Sequence, residues 1–399
     1  MNPTPQYYRI QSALKIIGGD NVLTCNLPLR LDPYLGCQHN CNYCYARYLL
    51  SIRNLWPPQP IPINPPELKS FLLKAMQKKL NNKVAKLIRK RFPLRIGTDT
   101  DPLQPIETKL KTTLQTLKIL NSLRYPYILS TKSTLPAKDP YITLLKEAHA
   151  GAIVQITITT LDKYTAKILE PHAPPPDARL QTISKLSEEN IYTQVRFSPI
   201  IPDVNSDPSS VKELFKEIRD AGAKDVIAEF LRYRKQIRQW ILQASNGQID
   251  LNKIFLKWGT KPKEPNKPAA DFNGYIRIPF HKRIKMYKLY KEIARSLNLN
   301  LYVCCDGSIT INNGQNCCGT SNPQITRKFP AFKLHNSAAI STLLSLFKSK
   351  KTVSLDDVKQ NLFCVDWKTY EKLWPKLHLY AKELKCVSRT DKCSYVLIV

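Results

Sequence analysis

Apolar positions along this chain follow two alternating rhythms. Short runs rich in β-branched residues are followed by longer stretches with apolar positions three and four apart. The short runs fall at Leu29–Tyr34, from Leu94, from Tyr127, at Ala152–Thr160, from Tyr192, at Asp225–Phe230 and at Leu299–Val303. Helical spacing covers Tyr45–Arg53, Glu67–Arg91, a segment ending near Leu120, Pro140–Ala148, Ala178–Glu189, Ser209–Ala221 and Phe280–Leu297. Strands in turn with helices predict a parallel β/α sheet. Polar residues recur just beyond the strands, at the end where parallel barrels carry their active sites. The run Trp56-Pro-Pro-Gln-Pro breaks the pattern, residues 231–280 are less regular, and residues 321–399 predict two or three helices with a terminal strand at Ser394–Val399. This divides the chain into an N-terminal extension (1–28), a β/α body with basic insertions (29–303) and a cysteine-containing C-terminal domain (304–399).

Charge adds a partner to this picture. The 399 residues carry 61 Lys and Arg against 31 Asp and Glu, a net charge of +30. From Lys69 to Arg95 there are ten basic residues and no acidic one, and Phe280–Leu297 carries Lys282, Arg283, Lys285, Lys288, Lys291 and Arg295 against Glu292 alone. Single-sign runs of this length are the electrostatic footprint of a polyanion, and RNA or DNA is the expected partner; a small anionic substrate or a protein substrate is the alternative. No apolar run reaches 18 residues, so no membrane span is expected, and the first residues lack the regions of a signal peptide. Eleven cysteines in motif-like clusters read as metal ligands in a reducing compartment, the cytoplasm, rather than as a disulfide framework.

The densest chemistry lies in Leu31-Asp-Pro-Tyr-Leu-Gly-Cys37-Gln-His-Asn-Cys41-Asn-Tyr-Cys44-Tyr-Ala-Arg47. Three thiols on one tight loop can hold three irons of a [4Fe–4S] cube and leave the fourth open, whereas four-cysteine sites close their cluster. Zinc is the rival, since Cys41 and Cys44 form a knuckle that His39 or Cys25 could complete. Cys25 otherwise reads as a core residue. A second group, Cys304-Cys305-Asp-Gly followed by Asn-Cys317-Cys318-Gly, comes directly after the last predicted strand. It suits an auxiliary iron–sulfur cluster, zinc, a catalytic thiol at Cys304 or Cys305, or inert packing. Cys364, Cys386 and Cys393 match no motif and read as packing residues.

The Cys37–Cys44 loop closely resembles the cluster motif of radical S-adenosylmethionine (SAM) enzymes. Its flanks are similar to the branch that contains spore photoproduct lyase. The resemblance implies a partial (β/α)6 TIM-like barrel with a cysteine-containing extension, a [4Fe–4S] cluster on Cys37, Cys41 and Cys44, SAM as cofactor, and an electron donor such as ferredoxin or flavodoxin. Tyr43 would lie near the adenine. Asp99 and Asp101 in Gly-Thr-Asp-Thr-Asp-Pro would face the SAM amino group, although Asp101 before Pro102 is also a helix-cap pattern. Ser130 and Lys132 at one strand end, Thr159 at the next, Arg179 in Glu170-Pro-His-Ala-Pro-Pro-Pro-Asp-Ala-Arg and Arg196 complete the implied cofactor chamber. Arg179 could grip the SAM carboxylate or make an ordinary ion pair. One departure stands out: that branch's lyase uses a barrel cysteine as hydrogen donor, and here no cysteine lies between Cys44 and Cys304. The expected activity is radical modification or repair of a nucleic-acid base. The alternatives are radical chemistry on a peptide or small metabolite, and a non-enzymatic zinc protein that binds nucleic acid.

Overall fold

A computed structural model describes residues 6–18, 25, 27–265, 267–268, 270, 274–304, 310–312, 318, 320, 323–329, 343–362, 367–380, 384–387 and 394–397. Its centre is an eight-stranded sheet: β1 (Leu14–Ile16), β2 (Leu29–Leu31), β3 (Leu94–Ile96), β4 (Tyr127–Thr131), β5 (Ala152–Thr157), β6 (Thr193–Ile200), β7 (Asp225–Phe230) and β8 (Asn300–Val303). The strands lie side by side in chain order, β2 to β8 parallel and β1 antiparallel on the edge of β2. Crossovers between parallel strands are right-handed, so an order that never reverses puts the helices on one face and curves the sheet around the other. The result is an open, partial barrel. Its seven parallel strands are the seven that the short apolar runs predict, one beyond the six of the barrel that the resemblance implies, and the antiparallel edge strand is one that the pattern of residues 1–28 did not reveal.

The two faces separate by the period-two pleat. Leu94, Ile96, Leu129, Val154, Ile156, Val195 and Val226 point to the helices and form the main core. Alternate residues point into the barrel, and at one register level these are Ser130, Gln155, Gln194, Asp225 and Asn300. They form a hydrogen-bonded belt across five strands. Ser130 Oγ donates to Gln155 Oε1 (2.9 Å), Gln155 Nε2 to Gln194 Oε1 (2.8 Å), and Gln194 Nε2 to Asp225 Oδ2 (2.8 Å), while Asn300 Nδ2 donates to Asp225 Oδ1 (3.0 Å). Side-chain amides can be buried here because each finds a partner.

The helix Pro208–Asp220 shows how the outer layer forms. Asp207 caps it by accepting the Ser210 N–H (3.0 Å), Pro208 opens it, and Val211, Leu214, Phe215 and Ile218 bury one stripe. Each such side chain stabilises the fold by roughly 1.5–3 kcal/mol, so Leu214→Asp would break the helix's seat on the sheet. The predicted helix over Glu67–Arg91 is two helices, Pro65–Met76 and Lys83–Arg89. The first ends with Lys78 in the left-handed region (φ 61°) and the Lys79 N–H on Lys74 O (2.9 Å), and the second starts with Asn82 accepting the Ala85 N–H (2.8 Å). The Asn81-Asn82 pair is a stop-and-restart signal that the apolar spacing overrode.

Beyond β8, Leu343, Val353, Val358, Tyr370, Trp374, Leu377, Leu384 and Tyr395 form a separate small core. Strands Leu384–Cys386 and Tyr395–Leu397 pair antiparallel there, so the predicted terminal strand is present. Cys386 is disulfide-bonded, against the reading of this cysteine as a packing residue. Cys364 and Cys393 lie outside the described residues. No helix among the described residues is long and apolar enough to cross a membrane.

Candidate active site at the mouth of the sheet

The cysteine loop leaves the C-terminal end of β2 and is braced from four directions. Gly36 makes the first bend with φ +87°, and a Cβ there would stand 2.8 Å from Pro57 Cγ, so only glycine fits. Gln104 accepts the Gln38 N–H (2.8 Å) and donates to Gly36 O (3.0 Å), while Gln38 accepts the Ile106 N–H (2.6 Å). The Asn42 N–H and side-chain amide bond Leu169 O (2.9 Å) and Ile168 O (2.6 Å). Cys44 caps the helix Tyr45–Ser51, its sulfur accepting the Arg47 N–H (3.3 Å). This helix is shorter than the expected Tyr45–Arg53.

Burial pushes all three thiols up: Cys37 to about 12, with Asp101 adding to the effect, and Cys41 and Cys44 in the same direction. Cys37 also feels Cys44, and Cys41 feels both Cys44 and Cys37, as a further upward push. Three such groups cannot ionise together without a cation, and bound metal reverses this balance. The chemistry of the donor set therefore fits a metal cluster. Lys132 is a cation beside the loop that lowers the Cys41 and Cys44 thiols against burial, and its Nζ sits 5.7 Å from the Tyr43 ring centroid. Burial pulls its pKa down, but Cys41, Glu170 and Asp101 outweigh that and hold it charged.

Two carboxylates from the next strand end behave differently. Asp101 is almost fully occupied. It accepts from Thr131 Oγ1 (2.6 Å), Lys132 N (2.7 Å) and Leu103 N (2.9 Å), and its Oδ2 lies 3.2 Å from His39 Nε2. Burial pushes it up, but His39 and Lys132 outweigh that and take it down to about 2. It ties β3, β4 and the cysteine loop together, including the cap-like bond to Leu103. Asp99 is more open and pairs with Lys15 of β1, while Tyr45 donates to it at 3.1 Å. Burial pushes Asp99 up and Lys15 outweighs it, leaving the carboxyl below its usual range. Beneath them Asp32 accepts the N–H groups of Thr98 (2.8 Å), Asp99 (2.9 Å) and Thr100 (3.2 Å). Gly97 (φ +84°) precedes this turn because a Cβ would run into Ser130 O and Pro102.

Glu170 and Arg179 form a buried pair (2.5 Å). Arg179 also donates to Thr157 O (2.9 Å) and Pro174 O (2.7 Å), and Glu170 accepts from Tyr43 OH. The guanidinium is thus committed to protein acceptors, and the ion-pair reading describes its geometry. Ser130 belongs to the belt inside the barrel. The hydroxyl of Thr159 is buried with no hydrogen-bond partner, and Arg196 has one unpartnered nitrogen, Nη1, with Glu229 at 3.9 Å.

Sequence reasoning missed Lys15, the clamp made by Asp32, and the part played by Glu107. Glu107 is wholly buried and accepts from Tyr34 OH (2.5 Å), Tyr141 OH (2.7 Å), Thr113 N (2.9 Å) and Leu114 N (2.8 Å), which fixes the start of helix Thr112–Ser122. A signal existed for Asp32, since a charged residue inside an apolar strand must have a buried partner.

The second cysteine group lies partly outside the described residues: Cys305 and Cys317 are not described. Cys304 and Cys318 are buried and pack with Cys25 against Ile128, Ile153 and Ile227 on the inner face of the sheet. Gln194 of the belt donates to Cys318 O (2.8 Å), and Val303 and Asn312 exchange two hydrogen bonds (2.8 and 3.0 Å). Among the described residues no three His, Cys, Asp or Glu side chains converge as ligands of one metal ion.

No protein-family model matches the sequence. A protein of Acidianus two-tailed virus is 36% identical over 119 residues, 29% of this chain and 38% of its own length. One from Mycobacterium tuberculosis is 24% identical over 220 residues, 54% of this chain and 63% of its own. Another from Methanocaldococcus jannaschii is 28% identical over 179 residues, 44% and 61%. All three are uncharacterised, and the chain spans less than two thirds of each. Among solved structures, a spore photoproduct lyase variant aligns with TM-score 0.54 and 16% identity over 73% of this chain and 79% of the lyase. The lyase complexed with dinucleoside spore photoproduct gives 0.51 and 15% over 76% and 79%. The chain therefore has the fold of spore photoproduct lyase, the fold that its cysteine loop indicated.

Proposed function

We propose that this chain is a radical SAM enzyme that modifies or repairs a base in RNA or DNA. The observation that carries the reading is a braced three-cysteine loop at the C-terminal mouth of a partial barrel with the lyase fold. When bound, a [4Fe–4S] cluster on Cys37, Cys41 and Cys44, with one open iron, supplies reductive cleavage of SAM and a 5′-deoxyadenosyl radical for hydrogen abstraction. Three cysteines on one loop suit three irons of a cube, whereas a structural zinc ion takes four ligands.

The protein's own work is position and charge. Lys132 offsets thiolate charge, Tyr43 offers a ring beside the loop, and Asp99 is the carboxylate available to an ammonium. Asp101, Ser130 and Arg179 hold the chamber's walls, while Thr159 and Arg196 bring unpartnered polar atoms to it. Cys304 or Cys305 is the candidate hydrogen donor in place of a barrel cysteine. Cys304, Cys305, Cys317 and Cys318 are the candidate ligands of an auxiliary cluster or zinc. An electron donor such as ferredoxin or flavodoxin would act in a reducing cytoplasm, and residues 1–28, 29–303 and 304–399 serve as extension, catalytic body and auxiliary domain.

The surface supports a polyanion. Lys69, Lys74 and Lys86 are exposed on the two helices before β3, Lys78 and Lys79 in the turn between them, and Lys282, Lys285, Lys288 and Arg295 on the helix before β8. Near the mouth, Arg47 stacks 4.1 Å over Trp240 and Arg234 4.4 Å over Tyr275, guanidinium–aromatic surfaces of the kind that hold unpaired bases. The test is anaerobic purification with iron, sulfide and zinc analysis, then dithionite-driven release of 5′-deoxyadenosine and salt-dependent binding of oligonucleotides. Zinc alone, with no SAM cleavage after reconstitution, sinks the enzyme reading. Cleavage without salt-sensitive binding turns the substrate toward a peptide or metabolite.

A further inference from the structure

The inner face of the barrel holds three arginines, each with one buried nitrogen that has no hydrogen-bond partner. Arg30 on β2 and Arg95 on β3 are direct register partners on the same face, so their Cβ atoms stand on the order of 5 Å apart. Like charges directly opposite each other are destabilising. Neither has an ion-pair partner among the described residues, and the Nε of each is buried without a hydrogen bond. Arg196 on β6 is nine-tenths buried, with Nη1 unpartnered and Glu229 as its carboxylate neighbour, at 3.9 Å. Glu229 is shared with Arg232, at 3.6 Å.

The three guanidiniums form one electrostatic group. Burial works against the charge of each, and Arg95 lowers both Arg30 and Arg196, but neighbouring thiols, with Tyr45 beside Arg30 and Glu229 beside Arg196, outweigh both and raise all three. Against burial, Arg95 gains support from Cys318, Cys25 and Cys304, but only if those thiols are ionised. Cys25 also supports Arg30, through a side-chain hydrogen bond. Tyr45, the residue after Cys44, is a neighbour of both Arg30 and Arg95, so the group borders the cysteine loop. Two or three guanidinium forks suit a phosphate better than a lone carboxylate, because they match several oxygens at once.

We propose that Arg30, Arg95 and Arg196 form an anion cup inside the barrel that takes a backbone phosphodiester of the strand whose base is presented to the cysteine loop. This rests on the reading of the substrate as nucleic acid. It separates two jobs: exposed lysines gather the polymer, and the cup seats one phosphate and so fixes which nucleotide reaches the loop. It also gives the unpartnered nitrogens of the three arginines an acceptor.

A neutral backbone isostere tests it. The reconstituted protein is titrated calorimetrically with a dithymidine phosphodiester and with the matching methylphosphonate, and by anisotropy with a labelled single-stranded dodecamer. The wild type is expected to favour the charged dinucleotide by about tenfold or more, the scale of a charge-assisted contact. Arg30→Gln, Arg95→Gln and Arg196→Gln are each expected to take that ratio toward one, and Arg95→Lys to keep part of it, with iron content and circular dichroism unchanged. Lys282→Gln with Lys285→Gln should weaken dodecamer binding and leave the ratio intact. A wild-type ratio of one with normal dodecamer binding overturns the cup and leaves the nucleic-acid reading standing. Failure of both ligands to bind overturns both. If Arg95→Gln loses iron while the ratio stays high, the arginines serve the inner cysteines and the cup is wrong.

Discussion

Two groups of cysteines meet at this sheet, and they are built in opposite ways. Cys37, Cys41 and Cys44 lie within eight residues, and hydrogen bonds from Gln104, Leu169 and Ile168 fix their loop. Cys25, Cys304 and Cys318 come from distant parts of the chain and meet only because β8 closes the row of strands. The first group is surrounded by hydrogen-bond partners that set shape. The second is surrounded by isoleucines and by guanidiniums. A loop fixed in shape before any ligand arrives suits a resident cofactor, while a group assembled by the tertiary fold is sensitive to anything that moves a strand.

The sharpest way to break this contrast is to remove one thiol from each group. Cys41→Ala is expected to lose the loop's iron and bring SAM cleavage to background. Cys304→Ala is expected to keep both, changing at most the fate of the substrate. Equal loss of iron in the two variants, by metal analysis and 5′-deoxyadenosine assay, would end the distinction.

Next comes the brace on the loop's far side. Glu170→Ala leaves the Arg179 guanidinium buried and unpaired, which costs about 3–5 kcal/mol. Urea unfolding should show that loss, and the double variant with Arg179→Ala should recover part of it. Third is acid sensitivity. Asp101 titrates at about 2 when folded, against an ordinary value of 3.8. A depressed carboxyl contributes stability above its unfolded pKa and loses it as pH falls through the folded one, so about 2 kcal/mol should fade between roughly pH 4 and pH 2. Asp101→Asn should flatten that part of the stability-against-pH curve. The smallest effect is at the bend: Gly36→Ala should cost about 1–2 kcal/mol from the left-handed backbone and the approach to Pro57, read as lower iron occupancy at limiting iron.

Much of the fold was legible because parallel strands announce themselves by short β-branched runs between amphipathic helices. The strand register, the belt and the split near Asn82 were not, because they depend on which residues meet across strands and on two asparagines whose capping signal a run of lysines obscured. The cysteine loop was legible because its ligands are neighbours in sequence. The partners of Asp101 and Arg179 were not, since each side chain could serve either a cofactor or the protein, and only the tertiary contacts show Asp101 on His39 and Arg179 on Glu170. The inner arginines were hidden in another way. Arg95 sits at the end of a ten-residue basic run that reads as surface, yet the pleat of β3 turns it inward.

Lys15 joins the sheet's margin to the loop's charge. It stands in β1, the strand that covers the edge of β2, and its ammonium bridges Asp99 and Asp32. Docking of that margin and neutralisation of the two carboxylates are therefore a single event. Any fusion, cleavage or competing peptide that peels β1 away also leaves two adjacent negative charges facing each other, so handling of the amino-terminal segment during production is chemically equivalent to mutating the pocket.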